Sequence, residues 1–180
     1  CVERLRLANV YRYGDMTRQE EDDVIKIPTL EGDADFDAYL AEPSGSPKAA
    51  IIVIQEIFGV NPGIRRKCDR WAELGYVALA PDLFWRLEPG VELDPDVPEE
   101  FSQALDLMGR FDQDKGIRDI EATIHEARKR LGGNGKVGCV GFCLGGRLAF
   151  MTSARADIDA SVAYYGVAID GLLCGRHAHS

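Results

Sequence analysis

Residues 136–150 read KVGCVGFCLGGRLAF, and within them Cys143 has a glycine two positions away on either side, Gly141 and Gly145. A short apolar run, residues 137–140, enters the stretch and a helical pattern leaves it. This arrangement predicts a nucleophile elbow, a sharp strand-to-helix turn, with cysteine in the place more often held by serine. Glycine is demanded on both sides because a strained turn leaves no room for a side chain against the neighbouring strand and helix. At a helix N-terminus a thiol meets partial positive charge and free N–H groups, which favour the thiolate. The Leu144 amide would face the space above the sulfur and supply one half of an oxyanion hole. A cysteine between glycines is, in isolation, more often a packed thiol; its place between a buried strand and a helix is what points to a nucleophile.

Two further side chains fall at the same end of the sheet. Glu56 follows the apolar run at residues 49–54 and opens the loop IFGVN, residues 57–61. The carboxyl ends of strands are where sites are built in open α/β sheets. The loop after such a strand supplies the second oxyanion amide, here that of Ile57. Arg86 follows the next strand and the residues PDLFW, at the rim of that end, where a guanidinium can fork onto a substrate carboxylate. Each also has a plainer reading, Glu56 as a strand-end charge facing solvent and Arg86 as a solvated surface arginine.

The elements that must hold these residues are visible in the periodicity. Residues 24–28 and 36–42 alternate apolar and polar around Glu31-Gly32-Asp33, predicting an antiparallel pair with one wet face. Residues 49–54 are continuously apolar, as a central parallel strand buried on both faces would be. Asn61-Pro62 starts a helix with Ile64, Cys68, Trp71 and Leu74 on its apolar stripe, and Gly75 ends it. Residues 76–80 predict the next buried strand, and a loop rich in proline and acidic residues runs to Pro98. Helices follow over 99–109 and 114–131, the second with Ile117, Ile120, Ile124, Ala127 and Leu131 at helical spacing. After the elbow, 144–154 is helical and 158–165 is a last strand whose apolar face and edge would be open. Strands and helices alternate, so the fold class is α/β, with a mainly parallel sheet and helices on both faces.

Composition limits the partners. The 180 residues include 46% hydrophobic and 28% charged positions, ordinary for one globular domain. With 21 basic and 30 acidic residues the net charge is −9, which argues against general nucleic-acid binding because no basic stripe is available. An anionic small substrate then needs one placed cation. The five cysteines are odd in number and follow no metal spacing, and no long apolar span is present, so a reducing, cytoplasmic setting with no membrane is expected. Cys68 and Cys139 read as packed thiols.

Taken together, QEIFGVN (55–61), APDLFWRLEPG (80–90), NGKVGCVGFCLGG (134–146) and AYYGV (163–167) resemble the dienelactone hydrolase family of the α/β-hydrolase fold. The resemblance runs in order from about residue 24 to 173. It implies hydrolysis of a small-molecule lactone or ester through an acyl-cysteine intermediate, with no cofactor or metal. Under it, Cys143 is the nucleophile, Glu56 the glutamate that helps generate the thiolate when substrate enters, and Arg86 the arginine that recognises a substrate carboxylate.

A cysteine hydrolase also needs a base and an orienting acid, which in this fold follow the nucleophile. The segment after Cys143 holds one helix, one strand and a tail. His125 precedes the nucleophile and lies beside the apolar stripe of its helix; His177 and His179, like Asp157, Asp159 and Asp170, come too soon after it. A cluster of Cys174, His177 and His179 could hold a metal, although a short tail more often has no such role. The sequence therefore divides into residues 1–15, an upstream extension or arm; 16–173, an α/β-hydrolase domain without its later part; and 174–180, an atypical tail. The alternatives are a broader carboxylesterase or thioesterase of the same fold, and a non-catalytic fragment that keeps the elbow.

Overall fold

The computed structural model describes residues 23–169. The expectations for the arm, the tail, Asp170 and the Cys174, His177 and His179 cluster fall outside the described residues. Ten elements follow in chain order: β1 (Val24–Pro28), β2 (Asp35–Ala41), β3 (Ala50–Ile54), α1 (Pro62–Glu73), β4 (Val77–Pro81), α2 (Pro98–Arg110), α3 (Gln113–Arg130), β5 (Val137–Phe142), α4 (Leu144–Arg155) and β6 (Ala160–Tyr164). The strands form one sheet in the order β1-β2-β4-β3-β5-β6. The β1–β2 and β2–β4 pairs are antiparallel, while β3–β4, β3–β5 and β5–β6 are parallel.

Alternation along the buried strands assigns the helices to opposite faces. Ile52 and Ile54 of β3, Leu79 of β4 and Cys139 of β5 share a core with Ile117, Ile120 and Ile124 of α3 and Leu148 of α4. Their neighbours Val53, Ala78, Ala80 and Val140 pack with Ile64 and Cys68 of α1. Helices thus cover both faces, as the periodicity requires. Cys68 and Cys139 are buried within these two cores, as packed thiols.

Local chemistry fixes the starts of α1 and α3. Asn61 caps α1, its side-chain oxygen accepting from the amides of Gly63 at 3.1 Å and Ile64 at 3.2 Å, with proline in the first turn. Its amide nitrogen donates to the Leu93 carbonyl at 3.1 Å and ties the helix start to the following loop. Asn61→Ala is expected to lower stability by about 1 kcal/mol, measured as a shift of the urea midpoint at unchanged m-value; an unshifted midpoint would remove the cap from the account. Asp112 caps α3 in the same way through the amides of Asp114 and Lys115.

Two expectations need correction. Leu74 is exposed, because the stripe of α1 outruns its buried contacts at the C-cap. The last strand is shorter than 158–165. Asp159 turns its carboxylate back onto the Val137 amide at 2.9 Å, and Tyr165 leaves the extended region with φ of 37°. Among the described residues β6 is nonetheless the sheet edge, and Val162 and Tyr164 are exposed. Beside it an open trough of about 650 Å³ runs between α1 and β5–β6, floored by Val140, Phe142 and Val162 with Lys67 and Arg70 on its rim.

Candidate active site

The elbow is formed, and its backbone shows the strain that the glycines make room for. Cys143 is the N-cap of α4 and has φ of 53° and ψ of −115°, a region L-residues rarely enter. A Cβ on Gly141 would lie 1.9 Å from the Gly145 carbonyl oxygen. One on Gly145 would lie 2.4 Å and 2.5 Å from the carbonyl oxygens of Ile54 and Gln55. The start of α4 therefore rests directly on the end of β3, and this contact brings Glu56 beside Cys143. The far side is fixed by β6, since the Cys143 amide donates to the Tyr164 carbonyl at 3.2 Å and the Cys143 carbonyl accepts from Val167 at 3.3 Å.

The half-buried thiol of Cys143 sits in an environment that holds its proton. Burial raises its pKa above the ordinary value of 9.0; the Leu144 amide, hydrogen-bonded to the sulfur, opposes this, and the negative charge of Glu56 adds to it. The lowering of the thiol pKa that the helix N-terminus predicts is thus corrected: one helix-terminal amide is outweighed by desolvation and by a neighbouring carboxylate. Leu144 does present its N–H to the sulfur, as the elbow predicts.

Ile57 is buried directly after Glu56, at the turn where Glu56 and Gly59 form an isolated bridge. Tyr165, within the AYYGV stretch, also reaches this site. Its hydroxyl donates to Oε1 of Glu56 at 3.4 Å, and its pKa is raised by burial and then by the charge of Glu56. The positive φ at the end of β6 carries it there, and that turn leaves no periodic signal in the sequence.

Arg86 has a separate setting. Its guanidinium makes an end-on double contact with Asp119 of α3, Nη1 to Oδ2 and Nη2 to Oδ1, the second at 3.0 Å. Its Cζ stands 4.2 Å from the ring centre of Trp85, whose Nε1 donates to Oδ2 of Asp119 at 3.0 Å. The side chain of Asp119 is 1% exposed and that of Arg86 29%. Burial holds the pKa of Asp119 above the ordinary carboxylate value, against the hydrogen bonds from Arg86 and Trp85, which oppose the shift. Arg86 is not simply solvated, and it shares no hydrogen bond or ion pair with Cys143, Glu56 or Leu144. It belongs to the loop after β4, which the strand order sets one strand from the Glu56 loop and two from the elbow, at the same sheet end. Asp119 is legible in hindsight, because it falls on the buried face of α3 with Gly116, Ile120 and Thr123, where a carboxylate needs a cation.

The Arg86 loop is fixed independently. Oε1 of Gln55 accepts from the Leu83 amide at 3.0 Å, and the Asp82 carboxylate accepts from the amides of Phe84 at 2.9 Å and Gly90 at 2.8 Å. Trp85 stacks on Phe36 of β2 with ring centres 5.9 Å apart. His125 is exposed on α3, as its place beside the stripe predicts. Among the described residues no helix is long and apolar enough to cross a membrane.

Known proteins share this arrangement of sequence and fold. The profile of the dienelactone hydrolase family matches residues 36–175. A carboxymethylenebutenolidase of Pseudomonas putida is 42% identical over 146 residues, 81% of this chain and 61% of that protein. A protein of Azospirillum brasilense, described as a candidate carboxymethylenebutenolidase, is 46% identical over 151 residues, 83% of this chain and 64% of its own length. A crystal structure from Klebsiella pneumoniae subsp. pneumoniae, described as that of a candidate dienelactone hydrolase, superimposes with a TM-score of 0.64 at 32% identity. That match covers 79% of this chain and 60% of the other. The chain spans about three-fifths of the length of the curated relatives it matches. On the elbow, the sheet order and these matches, the chain belongs to the dienelactone hydrolase family.

Proposed function

We propose that the protein is a carboxylic ester hydrolase that opens a carboxylate-bearing lactone through an acyl-cysteine intermediate. The observation that carries this reading is the strained Cys143 turn, with the Leu144 amide on the sulfur and Glu56 close enough to perturb its proton. Glu56 accepts the thiol proton as substrate enters, the sulfur attacks the lactone carbonyl, and the oxyanion forms against the amides of Leu144 and Ile57. Collapse breaks the ring C–O bond, and the leaving oxygen takes the proton from Glu56. Arg86 receives the substrate carboxylate. Hydrolysis of the resulting thioester calls for a further base.

The acylation half-reaction tests the reading without that base. Incubation with a carboxylate-bearing dienelactone is expected to add the mass of one substrate to the peptide containing Cys143, and Cys143→Ala to remove the adduct. No adduct on the wild-type chain, or one that survives Cys143→Ala, sinks the proposal. A second reading, a broader ester or thioester hydrolase, is favoured by the Arg86–Asp119 pair, which is neutral overall and offers no excess positive charge. Under it, a neutral aryl ester acylates Cys143 as fast as the acidic lactone, and Arg86→Ala slows both equally.

A further inference from the structure

We propose that Asp119 is a positioning residue that makes Arg86 selective for a ligand carboxylate by occupying one edge of its guanidinium and leaving one donor edge to the ligand. The proposal rests on the reading of Arg86 as the carboxylate receptor. Asp119 takes the end-on fork through Nη1 and Nη2. The Trp85 ring covers one face of the guanidinium, its centre 4.2 Å from Cζ, and is itself fixed by its Nε1 hydrogen bond to the same carboxylate. What remains is the side-on fork of Nε–H with the second Nη2–H, and Nε–H has no partner among the described residues. A planar guanidinium can hold one carboxylate end-on and another side-on, which gives the second a fixed direction of approach.

A purely structural role accounts for less. The loop that carries Arg86 is already held by Gln55 and by both oxygens of Asp82. A buried ion pair gains little stability over apolar packing, because desolvation offsets the attraction. Orientation is the property the pair supplies that the loop lacks. Because the pair is neutral, recognition depends on direction more than on field, so binding of an anion should depend only weakly on salt.

The test is titration of the 180-residue chain with a saturated carboxymethyl butyrolactone and with its methyl ester, by calorimetry. Wild type is expected to bind the acid about tenfold more tightly than the ester. Asp119→Asn should reduce that ratio below about twofold, by weakening the acid more than the ester. Arg86→Lys should do the same, and the double variant should lose nothing further. An Asp119→Asn protein that keeps the ratio, or binds the acid more tightly, overturns the proposal. Should Asp119→Asn fail to fold, nitrogen-15 NMR of the wild type decides. The acid must shift the Arg86 Nε–H signal and leave the Asp119-bound Nη signals in place, and displacement of the Nη signals overturns it. A wild type with no preference for the acid removes the carboxylate reading of Arg86 and this proposal with it. A preference lost in Arg86→Lys but kept in Asp119→Asn removes Asp119 alone.

Discussion

Gly141→Ala is expected to destabilise the protein by at least about 4 kcal/mol, the range in which single substitutions become disabling. The added carbon would stand 1.9 Å from the Gly145 carbonyl oxygen and 2.3 Å from its carbon, and both are backbone atoms. No rotamer change can relieve such a clash, so β5 and α4 must separate or the turn must open. A domain stable by about 5–15 kcal/mol has little reserve for that loss. Gly109→Ala is the matched control. That glycine lies within α2 with nothing within 4 Å of its added carbon, and alanine there should stabilise the helix by about 0.5–1 kcal/mol. Urea unfolding of the two variants measures both effects, and a Gly141→Ala midpoint within error of wild type would show that the elbow is not so tightly closed.

Glu56→Gln should move two rates in opposite directions. In the resting site the carboxylate helps hold the proton on Cys143, so removing its charge lowers the thiol pKa and speeds alkylation by neutral iodoacetamide at pH 7, about two- to fivefold. The sign follows from the raised pKa. The alkylation rate of the wild type climbs with pH to a midpoint above 9.0, and the variant reaches its midpoint earlier. Acylation by the lactone should instead fall by about 10²- to 10⁴-fold, because glutamine cannot take up the thiol proton or return it to the leaving oxygen. If alkylation slows in the variant, Glu56 activates the resting thiol and the charge argument fails. If acylation is unchanged, Glu56 has no part in proton transfer.

Much of this is legible in the sequence. The elbow, the two-faced sheet and the helix start at Asn61-Pro62 follow from local rules, with glycine where a turn closes and apolar periodicity where a face is buried. Cys143, Leu144 and Glu56 come together as their positions at strand ends predict. The protonation state of Cys143 was not legible, because it depends on a sum of burial and a neighbouring charge that only the assembled site defines. The partner of Arg86 was missed for a related reason: Asp119 and Arg86 are far apart in sequence, and the only local sign was a carboxylate on an apolar helix face. Tyr165 was hidden by a positive φ at a residue other than glycine.

The close approach of Gly145 to the carbonyls of Ile54 and Gln55 joins the start of α4 to the end of β3, which are distant in the chain. The reactive turn therefore cannot mature as an early local structure; it closes only when β3, β5 and β6 have assembled. An unfolded chain offers an electrophile cysteines of nearly equal character. In the folded protein Cys68 and Cys139 are sealed in the two cores, and among the described cysteines Cys143 alone is left partly open. Chemical selectivity among the thiols is thus a product of tertiary closure, acquired at the same moment as the geometry that would use it.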